Sequence, residues 1–597
     1  MDFRARHTKV LIGGLALLIL ARLTYLQLYS DEYAAFSSRN FLRLEILYPF
    51  RGEVFARDGK VLATNRQSFR LMVIPSFYHV PYLDSILSIL HLTHREWLLR
   101  LQKARSYSRI LPSEMVRAIS DEEAARLAPW LAHGQGLYLE SYWQRHYPHA
   151  AASHILGYLS EVPPSLLRKD SFYIRGDVYG VRGIERFYER RLRGIKGRRK
   201  IITDVYGRVV GVYPDASFNR EPRAGLPLLL TIDQSLQEYA TRLLKGKRGS
   251  LVALDPRGGE VLAMVSVPGY IADSMTCRRR YSYFRRLIAD SSAPLFNRAI
   301  TASYPPGSTI KPLLALIGLQ QGVITPAWKV SCRYGYYSKG LHVGCHGHPS
   351  PLAVKDAIRH SCNAFFVALF LESMERLDTT PDRAYVRWRD HLMDFGLGRL
   401  TGIDLPNERG GYLPDTGYFN HFYGVGQWKG STIASLGIGQ GELLMTPLQM
   451  AWVAALLASR GKCPPPHLNQ ELFVLPNDVS QRYADTTAWE IVQAGMKEVV
   501  RRGTARWVRT NRFDMAGKTG TAENPHGRDH SLFIGFAPAD SPRIAVAVVI
   551  ENGGFGASIA APIASLVMEK YLFDSVERPT LERYCIEYGK PLESARE

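Results

Sequence analysis

The sequence predicts an α/β domain over residues 225–575, behind an α+β N-terminal segment and one apolar helix. Three observations carry this. Residues 10–28 are mostly apolar and match the roughly 20 residues a helix needs to cross a bilayer. Strand-like segments fall at 250–254 and 260–267, and again far downstream at 532–537 and 543–551. Helical patterns occupy most of the chain between them, so one sheet must be assembled from distant segments and layered with helices. The 597 residues allow two or three domains. The spans read as a tail at 1–9, an anchor at 10–29, an N-terminal domain at 30–224, the α/β domain at 225–575 and a C-terminal tail at 576–597.

Hydrophobic residues make up 46% and charged residues 22%, ordinary for a folded chain. The net charge of +20 suits nucleic acid, anionic lipid or an anionic polymer. No nucleic-acid-binding motif is present, so a membrane or cell-wall setting fits the charge and no nucleic-acid partner is expected. Cys277, Cys332, Cys345, Cys362, Cys463 and Cys585 are too few for a disulfide scaffold.

In chain order, Arg4, Arg6 and Lys9 precede the apolar run, Asp31 and Glu32 follow it, and Arg22 interrupts it where it can snorkel. The positive-inside rule places the N-terminus in the cytoplasm and the rest outside. A cleaved signal peptide is the alternative, but no small-x-small site precedes the acidic pair, which favours an uncleaved anchor. Residues 53–55 and 61–63 read as a hairpin through Asp58-Gly59. Residues 83–133 read as helical, with Glu122 and Glu123 leading one helix. Residues 186–200 hold eight Arg or Lys in fifteen, read either as a solvated helix face or as a contact for anionic polymer or lipid. A strand at 228–233, a helix at 234–245 and the strand-turn-strand of 250–267 follow. Helices are expected at 310–320, 364–400, 447–459 and 560–572, a turn at 437–441, a strand at 513–523, and alternating strands at 532–537 and 543–551.

Pro305, Pro306 and Gly307 break any preceding helix, which makes Ser308 an N-cap or first-turn residue. Pro312 is tolerated in a first turn. Ser308 and Lys311, spaced i and i+3, then share a face. A serine hydroxyl attacks only when a neighbouring base takes its proton, and a lysine is such a base if burial or nearby cations lower its pKa. The backbone N–H groups at a helix start serve a developing oxyanion. Ser-x-x-Lys alone is common, but Ser361-Cys362-Asn363 and Lys518-Thr519-Gly520-Thr521 follow it. That order of three motifs is the set shared by penicillin-binding proteins and class A β-lactamases.

On these motifs the chain resembles a class B penicillin-binding protein, and within the class it is similar to the elongation enzymes, penicillin-binding protein 2. Tyr48-Pro49-x-Arg51-Gly52, His154-Ile155-Leu156-Gly157-Tyr158, Gly183-Ile184-Glu185 and the insert between the first two catalytic motifs support this. The resemblance implies a transpeptidase domain of the penicillin-binding and serine β-lactamase-like fold, with a mixed, mostly antiparallel sheet between helices. It also implies an elongated α+β N-terminal pedestal of the dimerisation type. The implied activity is a membrane-anchored D,D-transpeptidase that cross-links peptidoglycan stem peptides. Ser308 would attack D-Ala-D-Ala, Lys311 take its proton, and Ser361 relay a proton to the leaving D-alanine. Asn363 would orient Lys311 and the substrate, and Lys518 hold the electrostatics. Thr519, Gly520 and Thr521 would bind the substrate, with the N–H groups of Ser308 and Thr521 as the oxyanion hole. No motif marks a water-activating carboxylate, so a β-lactam acyl-enzyme should persist. Implied partners are donor and acceptor stem peptides, β-lactams, the membrane, a RodA-type membrane glycosyltransferase and other elongation proteins. A septal-type transpeptidase, a β-lactam sensor and a mainly structural activator of a glycosyltransferase are the alternatives. A single apolar span argues against a sensor. No stretch has the length or motifs of a family 51 glycosyltransferase.

Cys332, Cys345, His348 and Cys362 form a second constellation. Three thiolates and one imidazole match a closed tetrahedral zinc site, with His346 as a substitute for His348. A Cys332–Cys345 disulfide is the alternative outside the cytoplasm. No cofactor is expected for the chemistry itself, and a zinc here would be structural.

Overall fold

The structure, a computed structural model, describes residues 2–28, 42–133, 135–203, 209–214, 216–338, 340–472 and 479–588. Asp31 and Glu32, and the last nine residues of the C-terminal stretch, lie outside the described residues. The chain divides into two compact units. Met1–Gly52, Asn65–Gln144 and Arg193–Leu226 form the first, and Glu53–Thr64, Arg145–Leu192 and Pro227–Glu597 the second. The second unit therefore draws two segments from the stretch that reads, as a sequence, as one N-terminal domain. A contiguous span cannot express a chain that leaves a compact body and returns to it.

In the first unit, Asp2–Leu28 is one helix, and His7–Gln27 is long and apolar enough to cross a membrane, with none of that span buried. Leu42–Leu47 pairs antiparallel with Gly197–Thr203, which pairs in turn with Val209–Val212. The basic run at 186–200 is therefore not one helix face. The helical part ends at Leu192, with Gly194 at φ +68° after it, and Ile201, Ile202 and Thr203 favour a strand. On it Arg199 stands opposite Glu45 and pairs with it. The expected helical stretch at 83–133 contains three helices, Leu83–Leu90, His94–Tyr107 and Asp121–Ala132. Thr93 with Glu96, and Ser120 with Glu123, form capping boxes at the second and third. A strand, Ser113–Ile119, intervenes and pairs with residues 69–73. The helix before it ends at Tyr107, Pro112 keeps the chain from resuming a helix, and Met115, Val116 and Ile119 are buried in this unit's core with Trp97 and Leu127.

In the second unit, Val54 and Phe55 pair antiparallel with Ala63 and Val61 across the Asp58-Gly59 turn, and parallel with Leu228 and Leu229. The main sheet runs Val261–Val267, Gly249–Leu254, Ile544–Ile550, His530–Ala537, Ala516–Ala522, with every neighbouring pair antiparallel. The strand order puts the first two strands beside the last, as an assembly from distant segments requires. Every residue of Ile544–Ile550 is buried, and every residue of His530–Ala537 after His530. The expected alternation is absent because helices cover the sheet. Pro447–Ala458, buried along its whole length, and Ala560–Phe573 both pack on these strands. Each fully buried Val, Ile or Leu contributes about 1.5–3 kcal/mol, so this sheet is the rigid platform for whatever its edge strand carries. Within the C-terminal stretch, Pro579–Glu587 forms a helix against Ala560–Phe573, with Cys585 fully buried.

Candidate active site

Ser308 sits, half-buried, on the single 3-10 turn Gly307–Ile310, which runs into the helix Lys311–Gln320. It is a first-turn residue rather than a side-chain cap, because no cap hydrogen bond is made there. Gly307 has φ +52°, and a Cβ on it would lie 2.5 Å from the Thr521 carbonyl oxygen. Only glycine lets the turn approach the edge strand this closely. Gly307 N–H also donates to Gly439 O at 2.8 Å, and Gln440 Nε2 to Thr521 O at 3.1 Å. The expected turn at 437–441, the end of Gly430–Ile438 and the residues after it, thus ties the serine turn to the strand.

The helix carries Lys311 into the interior, where it is 0% exposed. Its Nζ donates to Asn363 Oδ1 at 2.6 Å, to the Ser361 carbonyl at 2.8 Å and to Ser361 Oγ at 3.4 Å. These use the three donors of an ammonium; among the described residues none goes to Ser308 Oγ. Ser361 follows the helix Val354–His360 in the left-handed region, φ +55°, an arrangement costing about 1–3 kcal/mol for a non-glycine residue. It directs Oγ between two lysines, because Lys518 Nζ, from the edge strand Ala516–Ala522, donates to the same oxygen at 2.8 Å and to Thr519 O at 2.9 Å. Asn363 begins the helix Asn363–Arg376 and is held from behind by Nδ2 donating to Gly344 O at 2.8 Å. Thr519 Oγ1 lies 2.7 Å from Thr504 Oγ1, and Thr521 Oγ1 accepts from Gly556 N–H at 3.4 Å.

Burial disfavours charge on both lysines. It lowers Lys311 to about 8. It holds Lys518, also 0% exposed, well below its ordinary value, and the Lys311 charge lowers it further. A minor neutral fraction of Lys311 at neutral pH, which grows toward pH 8, gives the site a proton acceptor one turn from a hydroxyl.

Three groups around this site carry no sequence signal of their own. Thr504 stands in no motif. Gln440 is marked only by the flanking Gly439 and Gly441. Glu551 accepts from Tyr304 Oη at 2.8 Å and Arg298 Nε at 2.9 Å, and pairs with Arg248. Tyr304, four residues before Ser308, is thereby tied to the sheet.

Behind Asn363, the ligand atoms of Cys332, Cys345, His348 and Cys362 all lie within 4.8 Å of one another. His348 Nε2 faces Cys345 Sγ at 3.5 Å, and His348 Nδ1 is 2.8 Å from the Pro349 carbonyl. The Asn363 and Phe365 N–H groups donate to Cys345 and Cys362 sulfur at 3.2 and 3.4 Å. The Cys345 thiol is held low, first by its hydrogen bond with Cys362, while that bond and burial push Cys362 up. Four donors of this kind, with the imidazole oriented by a carbonyl, fit a tetrahedral metal. Cys332 and Cys345 are unpaired thiols here, and His348, not His346, joins the cluster.

Residues 249–569 match the penicillin binding protein transpeptidase domain, and residues 46–230 the penicillin-binding protein dimerisation domain. The peptidoglycan D,D-transpeptidase MrdA of Salmonella typhimurium is 32% identical over 589 aligned residues, covering 91% of each chain. The penicillin-binding protein 2 of Helicobacter pylori, solved in complex with MreC, superposes with a TM-score of 0.75 at 26% identity, over 89% of this chain and 99% of that one. A chain of a peptidoglycan synthase complex that coordinates polymerization and crosslinking superposes with a TM-score of 0.70 at 27% identity, over 96% and 99%. The family's chemistry is serine-type and needs no cofactor. With the transpeptidase domain matched over more than half its length and a relative at this identity along nearly all of it, the chain belongs to the MrdA family of penicillin-binding proteins, the peptidoglycan D,D-transpeptidases of cell elongation.

Proposed function

We propose that Ser308 is the nucleophile of this transpeptidase and that neutral Lys311 takes its proton. The observation that carries this is the burial of Lys311 between Ser361 and Asn363, which depresses its pKa and fixes its amine one turn from Ser308. Ser308 Oγ attacks the carbonyl of the penultimate D-alanine. The oxyanion is held by the N–H groups of Ser308 and Thr521, and the C–N bond to the terminal D-alanine breaks. Ser361, bridging Lys311 and Lys518, delivers the proton that the leaving amine requires. Thr519, Gly520 and Thr521 hold the donor peptide along the edge strand, with its carboxylate on the two threonine hydroxyls. The acyl group then passes to the amine of a second stem peptide.

Cys332, Cys345, His348 and Cys362 would hold a zinc ion. When bound it would supply a structural cross-link that braces Ser361 and Asn363, since Cys362 lies between them in the chain and four protein ligands leave no open position for chemistry. The helix Asp2–Leu28 anchors the protein in the inner membrane with its N-terminus in the cytoplasm and the transpeptidase outside, as the basic residues before the span support. The MreC-bound relative and the synthase complex support assembly with an MreC-type scaffold and a RodA-type glycosyltransferase.

The test is labelling with a fluorescent penicillin. Wild-type protein should take up one adduct on Ser308 and the Ser308→Ala variant none. An adduct that survives the substitution would overturn the assignment.

A further inference from the structure

The hairpin of Leu159–Glu161 with Val178–Gly180 and the helix Arg280–Ala289 line a cavity of about 210 Å³. Its walls include Tyr158, Tyr179, Tyr281, Phe284 and Met275, with Arg280 among them. None of its lining residues belongs to the catalytic set. The helix buries none of its residues, and Tyr281 is 66% exposed. The sequence Cys277-Arg278-Arg279-Arg280 to Arg285-Arg286 crowds five guanidinium groups into nine residues around it. Arg279, Arg280, Arg285 and Arg286 form no ion pair among the described residues. Arg280 instead donates to Tyr281 Oη at 3.1 Å and lies over the Tyr281 ring, and Arg286 lies over Tyr283.

An apolar aromatic cavity with one cationic side chain in its lining has the composition of a ligand site. Its ligand must answer both features. A bare phosphate would use the arginines and leave four aromatic walls without a function. A neutral apolar molecule would leave the Arg280 charge without a counter-charge. A polymer of sugar rings that also carries peptide carboxylates satisfies both: ring faces stack on aromatic side chains, and a carboxylate meets a guanidinium in a bidentate pair. Uncross-linked peptidoglycan is such a polymer, and it is the one this family acts on.

We propose that this cavity is a second peptidoglycan-binding site, which holds an uncross-linked strand through a sugar ring on Tyr281 and Phe284 and a stem-peptide carboxylate on Arg280. The identity of the polymer rests on the transpeptidase reading, while the site is separate from the Ser308 cleft. A strand held here keeps its stem peptides at high local concentration for the catalytic turn.

The experiment uses the full-length protein acylated with penicillin, so that the catalytic cleft is filled, and soluble uncross-linked peptidoglycan strands as the probe in calorimetry. Acylated wild type should still bind strands. Arg280→Glu and Tyr281→Ala should each weaken that binding by about tenfold or more, the scale of one lost stacking or charged contact, while taking up penicillin at the wild-type rate. Uncharged chitin oligosaccharides should bind more weakly and be insensitive to Arg280→Glu. Acylated protein that no longer binds strands, or variants that bind them as wild type does, would overturn the second site. So would anionic vesicles engaging the arginine helix where strands do not. Absence of acylation in wild-type protein would instead sink the catalytic assignment, so the two failures are distinguishable.

Discussion

Ser361 Oγ lies 2.8 Å from Lys518 Nζ and 3.4 Å from Lys311 Nζ, so one hydroxyl bridges two buried amines that come from segments far apart in the chain. Two ammonium groups at such range repel in a poorly solvated pocket. The site therefore releases a proton more readily than an isolated lysine does.

A pH dependence follows from this. Burial disfavours the charged form of Lys311, and its pKa is lowered to about 8. Below that value Lys311 is protonated and cannot accept the Ser308 proton. The acylation rate by a β-lactam whose own charge is constant over the range should rise between pH 6 and 9 with a midpoint near 8. Because the folded pKa lies below the unfolded one, the same group should make the fold more stable as pH rises from 8 toward about 10.4, the unfolded lysine value. A rate that is flat from pH 6 to 9 in stopped-flow measurements would remove Lys311 as the titrating base.

Substitutions in the amine cluster separate the roles. Lys311→Ala should slow acylation by about 10²–10⁴-fold, the usual worth of a general base. Ser361→Ala should also slow acylation and move the pH midpoint, because it removes the hydroxyl shared by both amines. A midpoint unchanged in Ser361→Ala would show that the bridge does not couple the lysines.

Glu551 holds Tyr304 and the buried Arg298 together ahead of the Ser308 turn. Glu551→Ala leaves Arg298 buried without its carboxylate, which should cost about 3–5 kcal/mol. Acylation should slow as the anchor of Tyr304 loosens. Chemical denaturation gives the first quantity and penicillin uptake the second. A stability within about 1 kcal/mol of wild type, the range of ordinary surface changes, would mean that the carbonyls of Ser292 and Ala293, also bonded to Arg298, suffice.

Metal removal tests the cysteine cluster. If zinc binds the three thiolates and His348, protein purified without added metal should carry one equivalent, and chelation should lower the melting temperature and slow acylation together. A Cys332–Cys345 disulfide predicts the opposite sensitivity: reductant destabilises and chelator does nothing. Metal content with a free-thiol count decides between them.

Local sequence determined the parts of this protein whose physics is local. The three or four residues around a position fix whether Pro305-Pro306-Gly307 breaks the chain and whether Ser308 and Lys311 share a face. They also fix where Thr93 and Ser120 cap helices, and the mostly apolar run of residues 10–28 is enough by itself for a span. Tertiary structure decided the rest. Residues 113–119 became a strand between helices because Val61–Val73 offered them a partner. The C-terminal end of the basic run became a strand because Leu42–Leu47 stood opposite it. Lys311 finds Asn363 fifty-two residues away, and Lys518 reaches Ser361 across 157. Glu551, Thr504 and Gln440 joined the site with no motif to announce them. The depressed pKa of Lys311 is the clearest case: it follows from burial, and burial depends on how distant segments pack, which no run of neighbouring residues encodes.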